Sequence, residues 1–316
     1  MLKDFILKNF GVAEDIFLQA LIESPSAQGY IIGAISELLL GNYLKDKGFE
    51  VVRIKEKPSG GNDAKNAEAR GDFYVRKRGV TGDDWLVIES KGLKSNSEFR
   101  GGKLDSPEKV INFLKGRVFN TKKNADTVYQ KGYQTYLKVK EQWELKHSDQ
   151  KFPDFKWRKE FPGCESCSLD NIWENEAALK TWVYSLDKSY FTEKAYRDVE
   201  GAISILETHQ PSKRVGIITN IDQAAPLVCD FNIMSVDLFL RTGKHEFVFM
   251  NPEEIGHSPS SPEHLYQNYI IDILVKGLKR DVIIKRPWYR DVDDCINITK
   301  PCYRRIDRSQ IDGRLV

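Results

Sequence analysis

Two carboxylates and a lysine stand where a pair of β-strands would bring them together. Asp72 begins an alternating run over 72–76, and Glu89 lies in a second alternating run over 85–90, with Lys91 two positions further on. Two glycines separate the runs, which is typical of a β-hairpin. Juxtaposed carboxylates repel each other unless a proton or a cation lies between them. The group therefore predicts metal-assisted chemistry.

The register of this hairpin follows from its side-chain pattern. A four-residue loop pairs Phe73 with Ile88 and makes one side of the hairpin wholly apolar, whereas a shift by one residue would mix the two faces. Asp72 then faces Glu89 on the opposite side, with Cβ atoms about 4.5–5.5 Å apart. Glu89 and Lys91 are two positions apart on one strand, so they share that face.

An oxygen-rich pair of this kind suits Mg²⁺, which keeps several waters and accepts phosphate oxygens as ligands. We therefore predict that Asp72 and Glu89 bind Mg²⁺. The metal would withdraw charge from a phosphate and lower the pKa of a bound water. Lys91 would orient that water and stabilise the charge that develops on the phosphate. In-line attack would then expel the 3′ oxygen and leave a 5′ phosphate.

The pattern Gly71-Asp72, followed by Glu89-Ser90-Lys91 after an apolar strand, resembles the PD-(D/E)XK nuclease superfamily. That superfamily includes most type II restriction endonucleases. The resemblance implies a core of a helix, three antiparallel strands, a helix and a strand. It also implies a further catalytic acidic residue on the helix before the sheet, a position held here by Glu37. It covers about 28–92 and, more loosely, 195–221, with glycine in place of the proline of the pattern.

The elements that would position these residues give an α/β fold with a mixed central sheet, flanking helices, a restriction-endonuclease-like core and a large, mostly helical insertion. One or two helices are predicted over 2–23, interrupted at Gly11, and the next begins at Pro25 or Ser26 and ends at Gly48. Further helices are predicted to begin at 107, to run through 129–143, and to cover 193–207 and 262–274. Strands are predicted at 50–54 and 247–250, and a buried central strand at 215–221.

We predict that residues 1–316 form a single nuclease domain, with a core over 24–92 and 193–250. The insertion over 93–190 would serve DNA recognition. An apolar stripe of aromatic residues on its long helix indicates core packing rather than base stacking. A basic C-terminal segment covers 276–316. Its part at 285–308 is predicted to contact DNA or a partner subunit through Trp288 and Tyr289, and the alternative is that it folds over its own core.

Charge is distributed unevenly along the chain, although the net charge is only +2. Residues 91–160 hold 17 basic and 9 acidic residues, a balance of +8, and 276–316 hold 11 and 6, a balance of +5. Residues 161–275 hold 8 basic and 17 acidic residues, a balance of −9. Basic segments on an otherwise acidic chain favour a polyanionic partner. Within the first basic segment we predict that Lys94, Asn96 and Arg100 bind DNA.

Several classes of protein do not fit the composition. No run of eighteen apolar residues is present, so no membrane span is expected. The first residues lack the pattern of a secretory leader, and five cysteines do not make a disulfide scaffold, so the cytoplasm is the expected location. Cys164 and Cys167 have the spacing of zinc ligands but lack a second pair nearby. No structural zinc is therefore predicted.

The leading hypothesis is a type II restriction endonuclease that cuts double-stranded DNA at a short specific sequence. Cleavage of both strands at a symmetric site favours a two-fold homodimer. One alternative is a repair, recombination or transposon-associated nuclease of the same superfamily. Another is a DNA-binding protein that keeps the fold without cleavage, which the presence of Asp72, Glu89 and Lys91 disfavours. The target sequence depends on a few side chains in the folded insertion, and the sequence does not reveal it.

Overall fold

The computed structural model describes residues 1–55, 71–93, 104–115, 121–155, 173–192, 202–208, 213–255, 257–258, 261–265, 270–275, 284, 287–299, 304–306 and 310–312. Within these ranges no helix is both long enough and apolar enough to cross a membrane. The longer helices are α1 (Leu2–Phe10), α2 (Glu14–Glu23), α3 (Pro25–Asp46), α4 (Pro107–Leu114), α5 (Thr121–Glu144), α6 (Glu176–Ser185) and α7 (Val292–Ile298).

The strands extend from β1, which precedes the predicted hairpin, to the C-terminal segment. In chain order they are β1 (Phe49–Arg53), β2 (Phe73–Lys77), β3 (Asp84–Gly92), β4 (Ile203–Glu207), β5 (Arg214–Val215), β6 (Asp222–Gln223), β7 (Ile233–Asp237), β8 (Phe247–Met250), β9 (His257–Ser258), β10 (Ser261–Leu265), β11 (Ile270–Val275), β12 (Trp288–Tyr289) and β13 (Arg304–Arg305).

The central sheet has the strand order β1-β2-β3-β7-β8-β12. Neighbouring strands are antiparallel except β3 and β7, which are parallel. The short strand β13 pairs with the first residues of β3, ahead of the part of β3 that pairs with β7. The predicted α/β fold with a mixed central sheet and flanking helices is confirmed.

The start of α3 shows how local chemistry sets a helix boundary. The Ser24 hydroxyl accepts a hydrogen bond from the Ala27 N–H at 3.3 Å, and Pro25 occupies the first helical position. A serine cap accepts a hydrogen bond from a backbone N–H that has no partner within the helix. Proline at the first helical position loses no helical hydrogen bond, because the N–H at that position has no partner in the helix either. Of the two predicted starts, Pro25 is the correct one. Gly11 ends α1 with a φ of 68°, as the sequence predicts.

The hairpin register is confirmed at every pair of its ladder. Phe73 pairs with Ile88, Tyr74 with Val87 and Val75 with Leu86. One face packs against Leu40 and Leu44 of α3 in one apolar cluster, and the other face contributes to a second cluster with residues of β7 and β8. Both faces of the sheet are therefore buried. Burial on both faces explains why the four residues of β3 just before Glu89, 85–88, are all apolar rather than alternating.

The insertion has its own packing. Helices α4 and α6 share an apolar cluster that includes Val110, Leu114 and Leu179. On α5 the aromatic stripe is buried at Tyr136 and Trp143, which pack with Phe152, so the predicted core packing is confirmed there. The described residues of 93–190 are mostly helical, as predicted.

Three predicted elements are wrong. The apolar run at 215–221 is an exposed turn after the two-residue strand β5, and Ile217 is 70% exposed. The buried strand parallel to β3 is β7 instead. The helix predicted at 193–207 is contradicted over β4, while 193–201 lie outside the described residues. The helix predicted at 262–274 is contradicted by strands β10 and β11, and β11 pairs antiparallel with β4.

The described part of the C-terminal segment around β12 packs on the chain's own core, which was the alternative to an interface. Trp288 and Tyr289 form β12 at the edge of the central sheet, are 3% and 7% exposed, and pack into the two core clusters. The expectation that these two side chains contact DNA or a partner subunit is therefore wrong. The sheet takes β12 and β13 from beyond residue 250, where the predicted core ends.

Candidate active site

The hairpin brings Asp72 and Glu89 to the same end of two adjacent strands. The strand ladder stops at Phe73, one residue short of the predicted Asp72–Glu89 pair. Asp72 instead binds the backbone of β3 through two hydrogen bonds. Its N–H donates to the Ile88 carbonyl at 2.9 Å, and its Oδ2 accepts a hydrogen bond from the Ser90 N–H at 2.6 Å. The Asp72 carboxylate is thus fixed on the backbone of β3 beside Glu89.

Gly71 makes this close approach possible. A Cβ built on Gly71 would lie 2.9 Å from the carbonyl oxygen of Ile88 and closer still to Cγ1 of Val87. Real Cβ atoms essentially never approach other heavy atoms so closely, so any side chain here would push the strands apart. The glycine at the proline position of the resemblance pattern therefore has a structural reason in this chain.

Glu89 is a buried carboxyl group in an acidic environment. The residue is 8% exposed, and its carboxylate forms an ion pair with Lys91 Nζ. Burial raises the pKa of Glu89 to about 8, and the negative charge of Asp72 adds to the increase, while Lys91 opposes it. The site thus favours a proton or a cation at Glu89 near neutral pH.

Lys91 stays charged in this site. Burial alone would lower its pKa, but the carboxylates of Glu89 and Asp72 outweigh burial, so the pKa is raised above its ordinary value. A buried lysine beside two carboxylates acts as a fixed positive charge rather than as a base. It therefore suits electrostatic stabilisation of an anion better than proton abstraction.

Glu37 lies on α3, and the structure pairs it with a partner that the sequence did not indicate. Its carboxylate forms an ion pair with Arg53, the last residue of β1. Both side chains line a cleft of about 90 Å³ between α3 and the first strands. Glu37 also contributes to the raised pKa of Lys91, so it belongs to the electrostatic surroundings of the site. Its charge is shared with Arg53.

A buried acid that the sequence analysis missed lies on the other flank. Asp230 is 3% exposed and receives hydrogen bonds from Arg214 at 3.0 Å (Nε) and 2.6 Å (Nη2), and from the Leu227 N–H at 2.8 Å. Its charge is one of the influences that raise the pKa of Glu89. The available signal was its position just before β7, whose residues neighbour those of β3 in the sheet.

Asn232, one residue before β7, forms two hydrogen bonds with the backbone of β3 in the same part of the sheet. Its side-chain oxygen accepts a hydrogen bond from the Val87 N–H at 2.8 Å, and its own N–H donates to the Val87 carbonyl at 2.9 Å. These two bonds continue the pairing of β3 with β7 beyond the ladder that begins at Ile88 and Ile233. They hold β3 in place two residues before Glu89.

Among the described residues, no cluster of three or more His, Cys, Asp or Glu side chains has the arrangement of a metal site. A pair of carboxylates is nevertheless compatible with Mg²⁺, because that ion is commonly held by one or two carboxylates together with waters and substrate phosphates. Asp72 and Glu89 meet this requirement. The pKa of Glu89 is raised mainly by burial and further by the negative charge of Asp72, and Lys91 offsets these effects only in part.

The remaining residues singled out from the sequence lie outside the described ranges. These are the predicted DNA contacts Lys94, Asn96 and Arg100, and the cysteines Cys164 and Cys167. The absence of structural zinc stays a prediction, which elemental analysis of the purified protein would test.

Comparisons of the chain with protein-family models, with curated proteins and with solved structures find no match. The functional argument therefore rests on the residues and geometry of the site.

Proposed function

We propose that this protein is a Mg²⁺-dependent endodeoxyribonuclease that cuts double-stranded DNA at a short specific sequence, in the manner of a type II restriction enzyme. One observation carries the proposal. Asp72 is held on the backbone of β3 by its bond from the Ser90 N–H, next to the buried Glu89 and the charged Lys91. Two carboxylates and a lysine at one strand end provide the groups that metal-dependent phosphodiester hydrolysis requires.

Each of the three residues has a distinct role in the proposed reaction. Asp72 and Glu89 would hold Mg²⁺, which when bound neutralises charge on the phosphate and makes a water more acidic. Lys91 orients the attacking water and stabilises the charge that develops on the phosphate oxygens. Asp230 adds a negative charge near Glu89 while remaining paired with Arg214.

DNA is the substrate that the charge distribution favours. The residues directly after the site, 91–160, carry 17 basic and 9 acidic residues, and contacts between basic side chains and phosphates supply most of the sequence-independent affinity for DNA. Lys94, Asn96 and Arg100 remain our proposed DNA contacts. Cutting both strands of a symmetric sequence calls for two copies of the site, so the enzyme is proposed to act as a homodimer in the cytoplasm.

The test is cleavage of plasmid DNA with Mg²⁺ by the wild type and by Asp72→Ala, Glu89→Ala and Lys91→Ala. We expect each substitution to abolish cleavage, because each removes a metal ligand or the charge that stabilises the transition state. Asp83→Ala is the matched control, because Asp83 is an exposed acid at the opposite end of the same hairpin. It should keep full activity.

Two further readouts separate the roles. A gel-shift assay should show that the inactive variants still bind DNA, because positioning contacts lie elsewhere on the chain. Titration with Mg²⁺ should show weaker metal binding in Asp72→Ala and Glu89→Ala but nearly unchanged binding in Lys91→Ala. Full activity in Asp72→Ala would show that the site is assigned incorrectly.

The pattern of products distinguishes the alternatives. Discrete bands indicate sequence recognition, whereas random or structure-dependent cutting indicates a repair, recombination or transposon-associated nuclease. DNA binding without cleavage by the wild type, over a range of divalent metals, would indicate a binding protein on this fold.

A further inference from the structure

The first three helices are almost uncovered by the rest of the described chain. Helix α1 buries only Ile6, and α2 buries no residue. Helix α3 has 22 residues, but its buried positions, Ser36, Leu40, Gly41 and Leu44, all lie in its second half. Helices draw most of their stability from burying an apolar face against another element. Apart from contacts with one another, residues 1–35 bury little apolar surface against the rest of the described chain.

The uncovered surface is strongly apolar. Of the twenty exposed large hydrophobic residues in the described part of the chain, twelve lie within residues 1–38. Tyr30 is 82% exposed, Ile22 68% and Leu38 59%. Single exposed apolar residues are normal on a protein surface, but a large contiguous group marks an interaction site. We call the surface formed by these twelve exposed side chains, on α1, α2 and α3 up to Leu38, the N-terminal apolar face.

Charge argues against a polyanion on this face. Residues 1–46 contain 3 basic side chains (Lys3, Lys8 and Lys45) and 6 acidic ones (Asp4, Glu14, Asp15, Glu23, Glu37 and Asp46), a balance of −3. DNA and anionic lipid surfaces both attract clusters of Lys and Arg. An apolar, slightly acidic face fits another protein surface instead.

The size of the face matches a dimer interface. A large apolar side chain offers roughly 150 Å² when fully exposed. Twelve side chains exposed by about half therefore present on the order of 900 Å². A stable interface of standard size buries about 800 Å² on each partner. Gly29 and Gly33, one turn apart on α3, have open space where a Cβ would point, so a second helix can approach closely there.

We propose that the N-terminal apolar face binds the same face of a second copy of this chain and forms a two-fold dimer centred near Tyr30. A two-fold contact needs only one self-complementary surface, which is why an apolar face without strong charge suits it. Glu37 lies seven residues beyond Tyr30 on α3, about 10 Å along the helix axis. The dimer therefore connects the two sites through a single rigid helix from each copy. The proposed function enters this proposal at one point, since cleavage of both strands is the reason why the protein would need two copies.

The test measures the mass of the full chain in solution by sedimentation equilibrium, without DNA or metal. We expect the wild type at twice the 36.4 kDa mass of one chain. Ile22→Glu and Tyr30→Glu should weaken dimerisation at least about tenfold, because each places a charge in the apolar contact. Leu145→Glu is the matched control, since Leu145 is 81% exposed but lies at the end of α5. It should remain a dimer.

A second measurement needs no variant and covers the case in which a variant misfolds. In hydrogen exchange of the wild type, amides of residues 14–35 should be protected at high protein concentration and lose that protection on dilution. A monomeric wild type, protection that is independent of concentration, or folded Ile22→Glu and Tyr30→Glu with unchanged dimer mass would each overturn the proposal. Dimer mass and hydrogen exchange do not depend on cleavage, so they can be interpreted even if the nuclease assay fails. Likewise, the nuclease assay can be interpreted even if the protein is a monomer.

Discussion

At the residue scale, the site places two like-charged carboxylates, those of Asp72 and Glu89, beside each other. Asp72 accepts a hydrogen bond from the backbone of β3 and raises the pKa of its neighbour Glu89. Replacing Asp72 with alanine therefore has two opposing effects on stability. It removes that bond, worth about 1 kcal/mol, and it relieves repulsion between two carboxylates. A small net change in stability together with complete loss of cleavage is the expected signature of a functional acid.

The raised pKa of Glu89 predicts how the stability of the metal-free protein depends on pH. The folded pKa is about 8 and the ordinary value is 4.5, so between these values the folded state binds more protons than the unfolded state. The free energy of unfolding should therefore fall as pH rises from 4.5 to 8, by at most about 1.4 kcal/mol per pH unit.

Urea unfolding in the presence of a chelator would measure this dependence. Glu89→Gln should flatten the profile over the same range, because the amide does not titrate. Adding Mg²⁺ should restore stability near pH 8, because a bound cation favours the ionised carboxylate. An identical pH profile in the wild type and Glu89→Gln would contradict the interpretation.

Gly71→Ala tests the close approach that fixes Asp72. The new Cβ would meet the Ile88 carbonyl oxygen at 2.9 Å, so β2 and β3 must separate. We expect a loss of about 1–3 kcal/mol in stability and reduced cleavage, because Asp72 moves away from Glu89. Gly92→Ala is the control, since Gly92 follows Lys91 and has no neighbour within 4 Å of its Cβ position. Equal effects of the two substitutions in thermal unfolding would argue against the steric explanation.

At the scale of elements, the turn after β5 illustrates how a distant side chain overrides a local pattern. The Glu263 carboxylate accepts hydrogen bonds from the N–H groups of Ile218 and Thr219 at 3.0 and 2.8 Å, and from the Thr219 hydroxyl at 2.6 Å. Asn220 adopts a φ of 55°, which a strand does not permit. The apolar run at 215–221 therefore forms an anchored turn with its side chains partly in solvent.

The pair formed by Arg214 and Asp230 links β5 to the approach to β7, and its burial makes it sensitive to the loss of one partner. The side chains are 22% and 4% exposed. Arg214→Met should cost about 3–5 kcal/mol, because it leaves the Asp230 carboxylate buried without its cation. The control is Asp154→Ala in the exposed pair with Lys151, which should cost less than about 1 kcal/mol. Similar small losses for the two substitutions in urea unfolding would contradict the importance of this buried pair.

At the scale of the whole molecule, the exposed apolar residues and the basic segment 91–160 lie in different parts of the chain. The exposed apolar residues concentrate in α1, α2 and the first half of α3, whereas the largest excess of basic residues lies in 91–160. Such a separation allows one surface to serve assembly and the other to serve a polyanion. The two proposed interactions therefore do not compete for the same residues.

The basic segment predicts a steep dependence of DNA affinity on salt. If about six phosphates are contacted, affinity for a short duplex should fall on the order of a thousandfold between about 50 and about 200 mM salt. Lys131 and Lys138 are exposed and seven residues apart on α5. Replacing both with alanine should reduce the slope of log affinity against log salt by about two.

Fluorescence anisotropy with the inactive Asp72→Ala protein would measure this dependence without cleavage. Lys188→Ala, an exposed lysine in the acidic segment 161–275, is the control and should leave the slope unchanged. A slope near zero in the parent protein would contradict DNA binding through the basic segment.

The sequence by itself determined the features that neighbouring residues encode. The alternation of apolar residues set the hairpin register, and with it the placing of Asp72 near Glu89 and of Lys91 on the same strand. The start of α3 followed from the Ser24 cap and Pro25. These features depend on contacts between residues close in sequence, or on two strands joined by a short turn. Few alternative arrangements therefore compete with the correct one.

Only the tertiary structure decided which distant segments meet. It placed β7 rather than 215–221 beside β3, brought Asp230 near Glu89, and paired Glu37 with Arg53. An apolar segment of given length fits a central strand, an edge or a turn almost equally well. The choice depends on the partners that the rest of the chain provides, such as the Glu263 carboxylate that anchors the turn after β5. The paired residues are separated by 16 positions for Glu37 and Arg53, by 44 for Thr219 and Glu263, and by 145 for Val87 and Asn232, and no local pattern records such pairings.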